Sequence, residues 1–115
     1  MKFILASTSP RRKEIMALTG LKFQVVDSDY EEDMTLKMPP KKLAAYLSLG
    51  KAQAVAKKYK NSIIISADTI VAYQGRVFGK PKSKLEAKTF LQILSGNTHS
   101  VITGFTIIIR PQDSE

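Results

Sequence analysis

A chain of 115 residues, 43% hydrophobic and 24% charged, is the size and make-up of one globular domain or part of one. It has no cysteine, which excludes a disulfide framework and thiolate chemistry. Its net charge of +8 suits a polyanionic partner: nucleic acid, an anionic membrane surface or a phosphate-bearing small molecule.

The first apolar run, Phe3-Ile4-Leu5-Ala6, reads as a strand. Ser7-Thr8-Ser9-Pro10-Arg11-Arg12 follows, and then a helix predicted from about Pro10 to Thr19, closed by Gly20. Ser9 is a good N-cap and Pro10 suits the first helical position, where its missing N–H costs nothing. Ser7, Ser9, Arg11 and Arg12 therefore cluster at a helix start, which favours anions through its unpaired amides and dipole. Two guanidinium forks add a candidate phosphate site. The loop is neither a P-loop, lacking the glycines and Lys-Ser/Thr, nor a dinucleotide fingerprint. An ordinary capped turn with two solvated arginines accounts for the same residues.

Phe23 to Val26 is a short strand. The acidic stretch Asp27, Asp29, Glu31, Glu32 and Asp33 then stands out in a chain this basic. It is either a solvated loop or a source of oxygen ligands for a hard cation such as Mg²⁺. Pro39-Pro40 opens a helical pattern to about Tyr59, with Leu43, Ala44, Leu47, Ala54 and Val55 on one stripe. Lys51 falls inside that stripe, so it either snorkels to solvent or meets an anion.

The β-branched run Ile63 to Ala72 reads as a strand covered on both faces, with Asp68 in its middle. A carboxylate there must be paired, metal-bound or at an exposed end, which marks Asp68 as a functional candidate. The competing reading has Asp68 capping a neighbouring turn with help from Thr69. Tyr73 to Phe78 is a hairpin about a Gln-Gly turn. Gly79-Lys80-Pro81 ends it, and Pro81 stiffens the backbone beside Lys80. Ser83-Lys84-Leu85-Glu86 is a capping box opening a helix whose buried face would be Ala87, Phe90, Leu91 and Leu94. Val101 to Ile109 forms the last strand, with Gly104 marking a bulge. His99, the only histidine, has no cysteine or second histidine with which to build a zinc site.

The lysines are spread along the chain rather than interleaved with aromatics, so nucleic-acid binding is the less favoured use of the charge. No apolar stretch is long enough to span a bilayer, and the apolar start is too short for a secretory signal. The expectation is a cytoplasmic protein with no membrane partner. The element order β-α-β-α-β-β-α-β predicts a layered α/β domain with a mixed sheet.

Six segments together resemble the Maf family of nucleoside triphosphate pyrophosphatases, the septum formation inhibitor Maf proteins. They are Leu-Ala-Ser-Thr-Ser-Pro-Arg-Arg at 5–12, Tyr-Glu-Glu at 30–32, Gly-Lys-Ala at 50–52, Ser-Ala-Asp-Thr-Ile-Val at 66–71, Gly-Lys-Pro at 79–81, and Leu-Ser-Gly-Asn-Thr-His-Ser-Val-Ile-Thr-Gly at 94–104. The resemblance spans essentially residues 1–115, as the N-terminal portion of a Maf-like domain whose C-terminal lobe is missing. It implies α/β/α layers around an elongated mixed β-sheet, the Maf/ITPase-like arrangement. It implies hydrolysis of a nucleoside triphosphate to the monophosphate and pyrophosphate with Mg²⁺ or Mn²⁺, in nucleotide-pool house-cleaning, by a homodimer.

Residue by residue, the resemblance makes Asp68 the catalytic proton acceptor and Ser7, Arg11, Arg12, Glu32, Lys51 and Lys80 the polar cleft. Ser9 completes the phosphate-binding loop, and Glu32 with Asp68 would hold the metal. Arg11 and Thr69 stand where the 7-methyl-GTP branch carries an aromatic and a Gln, so they place the chain with the dTTP/UTP branch, which also takes modified pyrimidine nucleotides. The alternatives are a non-catalytic phosphate- or nucleic-acid-binding module, or an inactive fragment.

Overall fold

The computed structural model describes residues 1–33, 36–79 and 81–112. Eight elements follow in chain order: β1 (Lys2–Leu5), α1 (Pro10–Ala17), β2 (Phe23–Val25), α2 (Pro40–Ala56), β3 (Ser62–Tyr73), β4 (Arg76–Phe78), α3 (Lys84–Leu94) and β5 (Ser100–Arg110). The five strands make one mixed sheet. β1 lies parallel between β2 and β3, while β4 and β5 run antiparallel to β3. Two long strands, β3 and β5, give the molecule its elongated form, 53 × 30 × 22 Å.

The pairing along β3 creates the opening on which the site depends. β5 runs the whole length of β3, from Ser62↔Arg110 to Ala72↔Ser100. A strand has two edges, so β1 and β4 must share the other one. β1 pairs only as far as Ile65, and β4 begins at Val71. Among the described residues, β3 from Ser66 to Ile70 therefore has no strand on that edge, and Asp68 and Thr69 sit in the gap.

α2 covers one face of the sheet. Its Ala52, Val55 and Ala56 pack with Ile4, Ala6 and Ile64, and its Leu43, Ala44 and Leu47 pack with Ile70. These are alternate residues of β3, as a pleated strand requires. The polar Ser48 is also buried, its hydroxyl 2.8 Å from that of Thr106. On the opposite face, Phe105, Ile107 and Ile109 of β5 are exposed, so the prediction of a strand covered on both faces holds for β3 only in part.

Three local expectations are corrected. Gly104 is no bulge: the register runs unbroken through Asp68↔Gly104. It is needed because α2 crosses there, and a Cβ would come within 2.6 Å of the Ala44 carbonyl carbon. α3 buries none of its residues fully, and Leu91 points to solvent with 70% of its surface exposed. Its one aromatic anchor is Phe90, whose ring meets Phe78 edge-on at 5.0 Å. The hairpin forms as expected, with Gln74 and Gly75 both at positive φ, the pattern of a type I′ turn.

Candidate active site

A cleft of about 290 Å³ lies at the carboxyl ends of β1 and β2, over the gap in β3. Ligands of open α/β sheets commonly bind outside the carboxyl ends of parallel strands. Here the geometry explains why. β1 ends at Leu5, the chain leaves the sheet at Ser7, and α1 starts at Pro10, so the turn between them borders the opening.

Ser7, Thr8, Ser9 and Arg12 line one wall. The Ser7 hydroxyl accepts from the Ser9 amide at 3.1 Å, and the Ser9 hydroxyl accepts from the Arg12 amide at 3.4 Å, capping α1. The Arg12 guanidinium donates to Thr69 Oγ1 at 2.6 Å. Arg12 makes no ion pair among the described residues, so its charge is available to an anion. Arg11, one residue earlier, is exposed on α1 and does not line the cavity.

Asp68, Lys51 and Glu32 form the opposite wall. Lys51 Nζ lies 2.6 Å from Glu32 Oε1 and 2.8 Å from Asp68 Oδ1. The lysine embedded in the apolar stripe of α2 thus meets anions rather than snorkelling to bulk water. Burial alone would lower its pKa, but its hydrogen bonds and attraction to both carboxylates raise it above the usual lysine value. Asp68 is pushed the other way from an ordinary carboxylate. Burial raises its pKa, Lys51 pulls it down, and the neighbouring Glu32 adds to the rise. One ammonium shared by two carboxylates cannot neutralise both, so Asp68 holds a proton more readily than an exposed carboxylate does.

The loop carrying Glu32 is built by its own side chains. Asp27 Oδ1 accepts from the Asp29 amide at 3.0 Å, and Asp29 takes a left-handed φ of 52°. The Tyr30 ring then seats against Gly50 of α2, where a Cβ would lie 2.3 Å from it. Gly50 thereby sets the depth of the loop one residue before Lys51.

Of the predicted site residues, Ser7, Ser9, Arg12, Glu32, Lys51, Asp68 and Thr69 share this cleft. Arg11 stands outside it, and Lys80 lies outside the described residues. Asp27, a member of the acidic stretch read as possible cation ligands, also lines it, as do Thr8, Ser28 and Tyr30, which were not singled out as site residues. The signal for Asp27 and Ser28 was present: they follow the carboxyl end of a strand parallel to β1.

No group of three His, Asp or Glu side chains that could hold a metal occurs among the described residues. The residues present nevertheless fit a divalent cation of the Mg²⁺ type, which usually takes one or two carboxylates and completes its shell with substrate phosphates and water. Glu32 and Asp68 supply two, and Asp68 Oδ2 is buried without a hydrogen-bond partner. None of the described helices is long and apolar enough to cross a membrane.

A parallel-strand cleft with an arginine-bearing helix start facing a carboxylate–lysine–carboxylate group defines an α/β protein whose charges suit an anion on one wall and a cation on the other. The chain is a member of the Maf-like protein family, whose model matches residues 2–115. It is 48% identical over 109 residues to the dTTP/UTP pyrophosphatase of Bacillus anthracis and 50% identical to that of Bacillus cytotoxicus, covering 95% of this chain in each case. The alignments take in 57% of each relative, so the chain spans little more than half the length of the curated relatives it matches. Among solved structures, the Staphylococcus aureus Ham1 protein aligns with a TM-score of 0.49 at 14% identity, covering 93% of this chain and 70% of that one.

Proposed function

We propose that this chain forms the triphosphate-binding and catalytic part of a nucleoside triphosphate pyrophosphatase acting on dTTP, UTP or modified pyrimidine nucleotides. The observation that carries the reading is the shared cleft. Arg12 and the α1 N-terminus face the Asp68–Lys51–Glu32 group across one cavity. The branch assignment rests on the activity for which the relatives are named and on Arg11 and Thr69.

In the mechanism, the triphosphate lies over the start of α1, held by Arg12 and by the hydroxyl protons of Ser7 and Ser9, with Lys51 giving up part of its carboxylate contact to a phosphate oxygen. Asp68 orients the attacking water and takes its proton as the water adds to the α-phosphorus and pyrophosphate leaves. A carboxylate whose pKa is raised by burial is a better base near neutral pH than an exposed one. Lys80 belongs to this set as a further phosphate contact, and Arg11 as a residue that steers the anion toward the cleft from its exposed position. A bound Mg²⁺ or Mn²⁺, held by Glu32 and Asp68, would supply charge neutralisation on the phosphate oxygens. Positioning and electrostatics do most of the work in such transfers. The same reading, resting on the family resemblance, makes the working protein a cytoplasmic homodimer.

The test is pyrophosphate release across a nucleotide panel, with and without Mg²⁺ or Mn²⁺, on this chain and on one extended to the length of its relatives. Release from dTTP and UTP above the purine nucleotides is expected of the extended chain. Release from none of them refutes the reading, and steeply salt-dependent duplex DNA binding in its place would favour the binding-module alternative.

A further inference from the structure

Arg12 reaches the cleft on a long side chain that would otherwise sample many rotamers. The contact that fixes it is the 2.6 Å hydrogen bond to Thr69 Oγ1. That hydroxyl lies 2.9 Å from the hydroxyl of Thr103, directly opposite it on β5. Directly opposed residues share a face of the sheet, so the two threonines meet across the strands. A hydroxyl has one proton and two lone pairs, so Thr69 can accept from Arg12 and donate to Thr103 at once. Such a chain is cooperative, because each bond polarises the next.

The pattern of β5 sets Thr103 apart. On its face, Val101, Phe105, Ile107 and Ile109 are apolar, and Thr103 alone is polar. The facing positions of β3 are Ile63, Ile65, Ala67, Thr69 and Val71, and again only the threonine is polar. Thr103 does not line the cavity. We propose that Thr103 is a positioning residue of the site: through Thr69 it holds the Arg12 guanidinium in the orientation that meets the incoming phosphate. This rests on the triphosphate-binding reading above. It gives β5, a strand outside the cleft, a part in setting the affinity for the anion.

The probe is inorganic pyrophosphate, titrated calorimetrically into the full chain and its variants. Thr103→Val keeps the β-branched shape and removes only the hydroxyl. It should weaken pyrophosphate roughly fivefold, the effect of one net hydrogen bond, and Thr69→Val should do at least as much. Thr103→Ser, which restores the hydroxyl, should recover wild-type affinity. In an Arg12→Ala background, Thr103→Val should cause no further loss, because nothing remains to be positioned. Thermal melts of the same samples separate misfolding from lost affinity. Unchanged affinity in Thr103→Val, or an equal loss with and without Arg12, overturns the relay while leaving the triphosphate reading intact. A wild-type chain that binds neither pyrophosphate nor dTTP overturns both.

Discussion

Replacing Lys51 by Met keeps a long side chain in the α2 stripe and removes the ammonium that Glu32 and Asp68 share. At 2.8 Å, the gross attraction to Asp68 is about 1.5 kcal/mol in a water-like medium and about 6 kcal/mol at an effective dielectric of 20. The side chains are 18% exposed for Lys51, 9% for Asp68 and 28% for Glu32, so the site lies between those limits. Desolvating the ammonium already cancels part of the gain in the native protein. Breaking a fully buried pair costs about 3–5 kcal/mol and an exposed one about 0–1 kcal/mol, so a net loss of about 1–3 kcal/mol is expected near pH 8.

The pH dependence carries the sharper test. Without Lys51, only burial and Glu32 act on Asp68, and both raise its pKa further above 3.8. A carboxyl whose folded pKa is raised binds its proton more tightly folded than unfolded. Its contribution is therefore full below the unfolded value and is lost as pH rises through the folded one. Urea unfolding of Lys51→Met and wild type should show a gap at pH 8 that narrows at acid pH, where protonation of Asp68 removes the carboxylate repulsion. A gap as wide at acid pH as at pH 8, or no gap at pH 8, refutes this account of the triad.

Wild type should lose stability at the alkaline end as well. The folded pKa of Lys51 lies above 10.5, so its contribution is present below that value and is lost as pH rises through the folded one, measurable by unfolding at pH 9 to 11.5. Asp68→Asn should retain dTTP binding and lower turnover by about 10²–10⁴-fold in a chain extended to the length of its relatives; retention of most of the turnover removes Asp68 from the role of base. Gly104→Ala should destabilise by about 1–3 kcal/mol in urea, because α2 backbone would have to retreat from the added carbon. Gly50→Ala meets a ring tip rather than backbone, so it should cost less stability but weaken nucleotide binding, seen as a shift in Kd with little change in Tm.

The contrast between those two glycines shows what could be read from the chain and what could not. Local rules foresaw the Ser9 and Ser83 caps, the Gln74-Gly75 turn and most of the buried stripe of α2, where Leu43, Ala44, Leu47 and Val55 are buried but Ala54 gives way to Ala52 and Ala56, because caps, turns and helical periodicity depend on neighbours in sequence. The same logic reached Asp68 and Lys51, each a charge at a position where its neighbours demand burial, so each needed a partner. It could not show that they are partners of each other, nor that Glu32 is the third member. That depends on the crossing of α2 over β3 and on Tyr30 against Gly50, which no local pattern encodes.

Gly104 misled for the same reason. A glycine in a strand means either a bulge or a close approach, and only the path of α2 decides between them. Leu91 was assigned to a buried face by its spacing, yet spacing states that a helix has an apolar side and not that anything lies against it. The exposed apolar residues of α3 and β5 are where periodicity and observed burial part company. The cleft, by contrast, is lined among the described residues by side chains between Ala6 and Thr69. Its walls come from segments that precede Ser100, and β5 enters only through Thr103, so the triad can be probed in this chain as it stands.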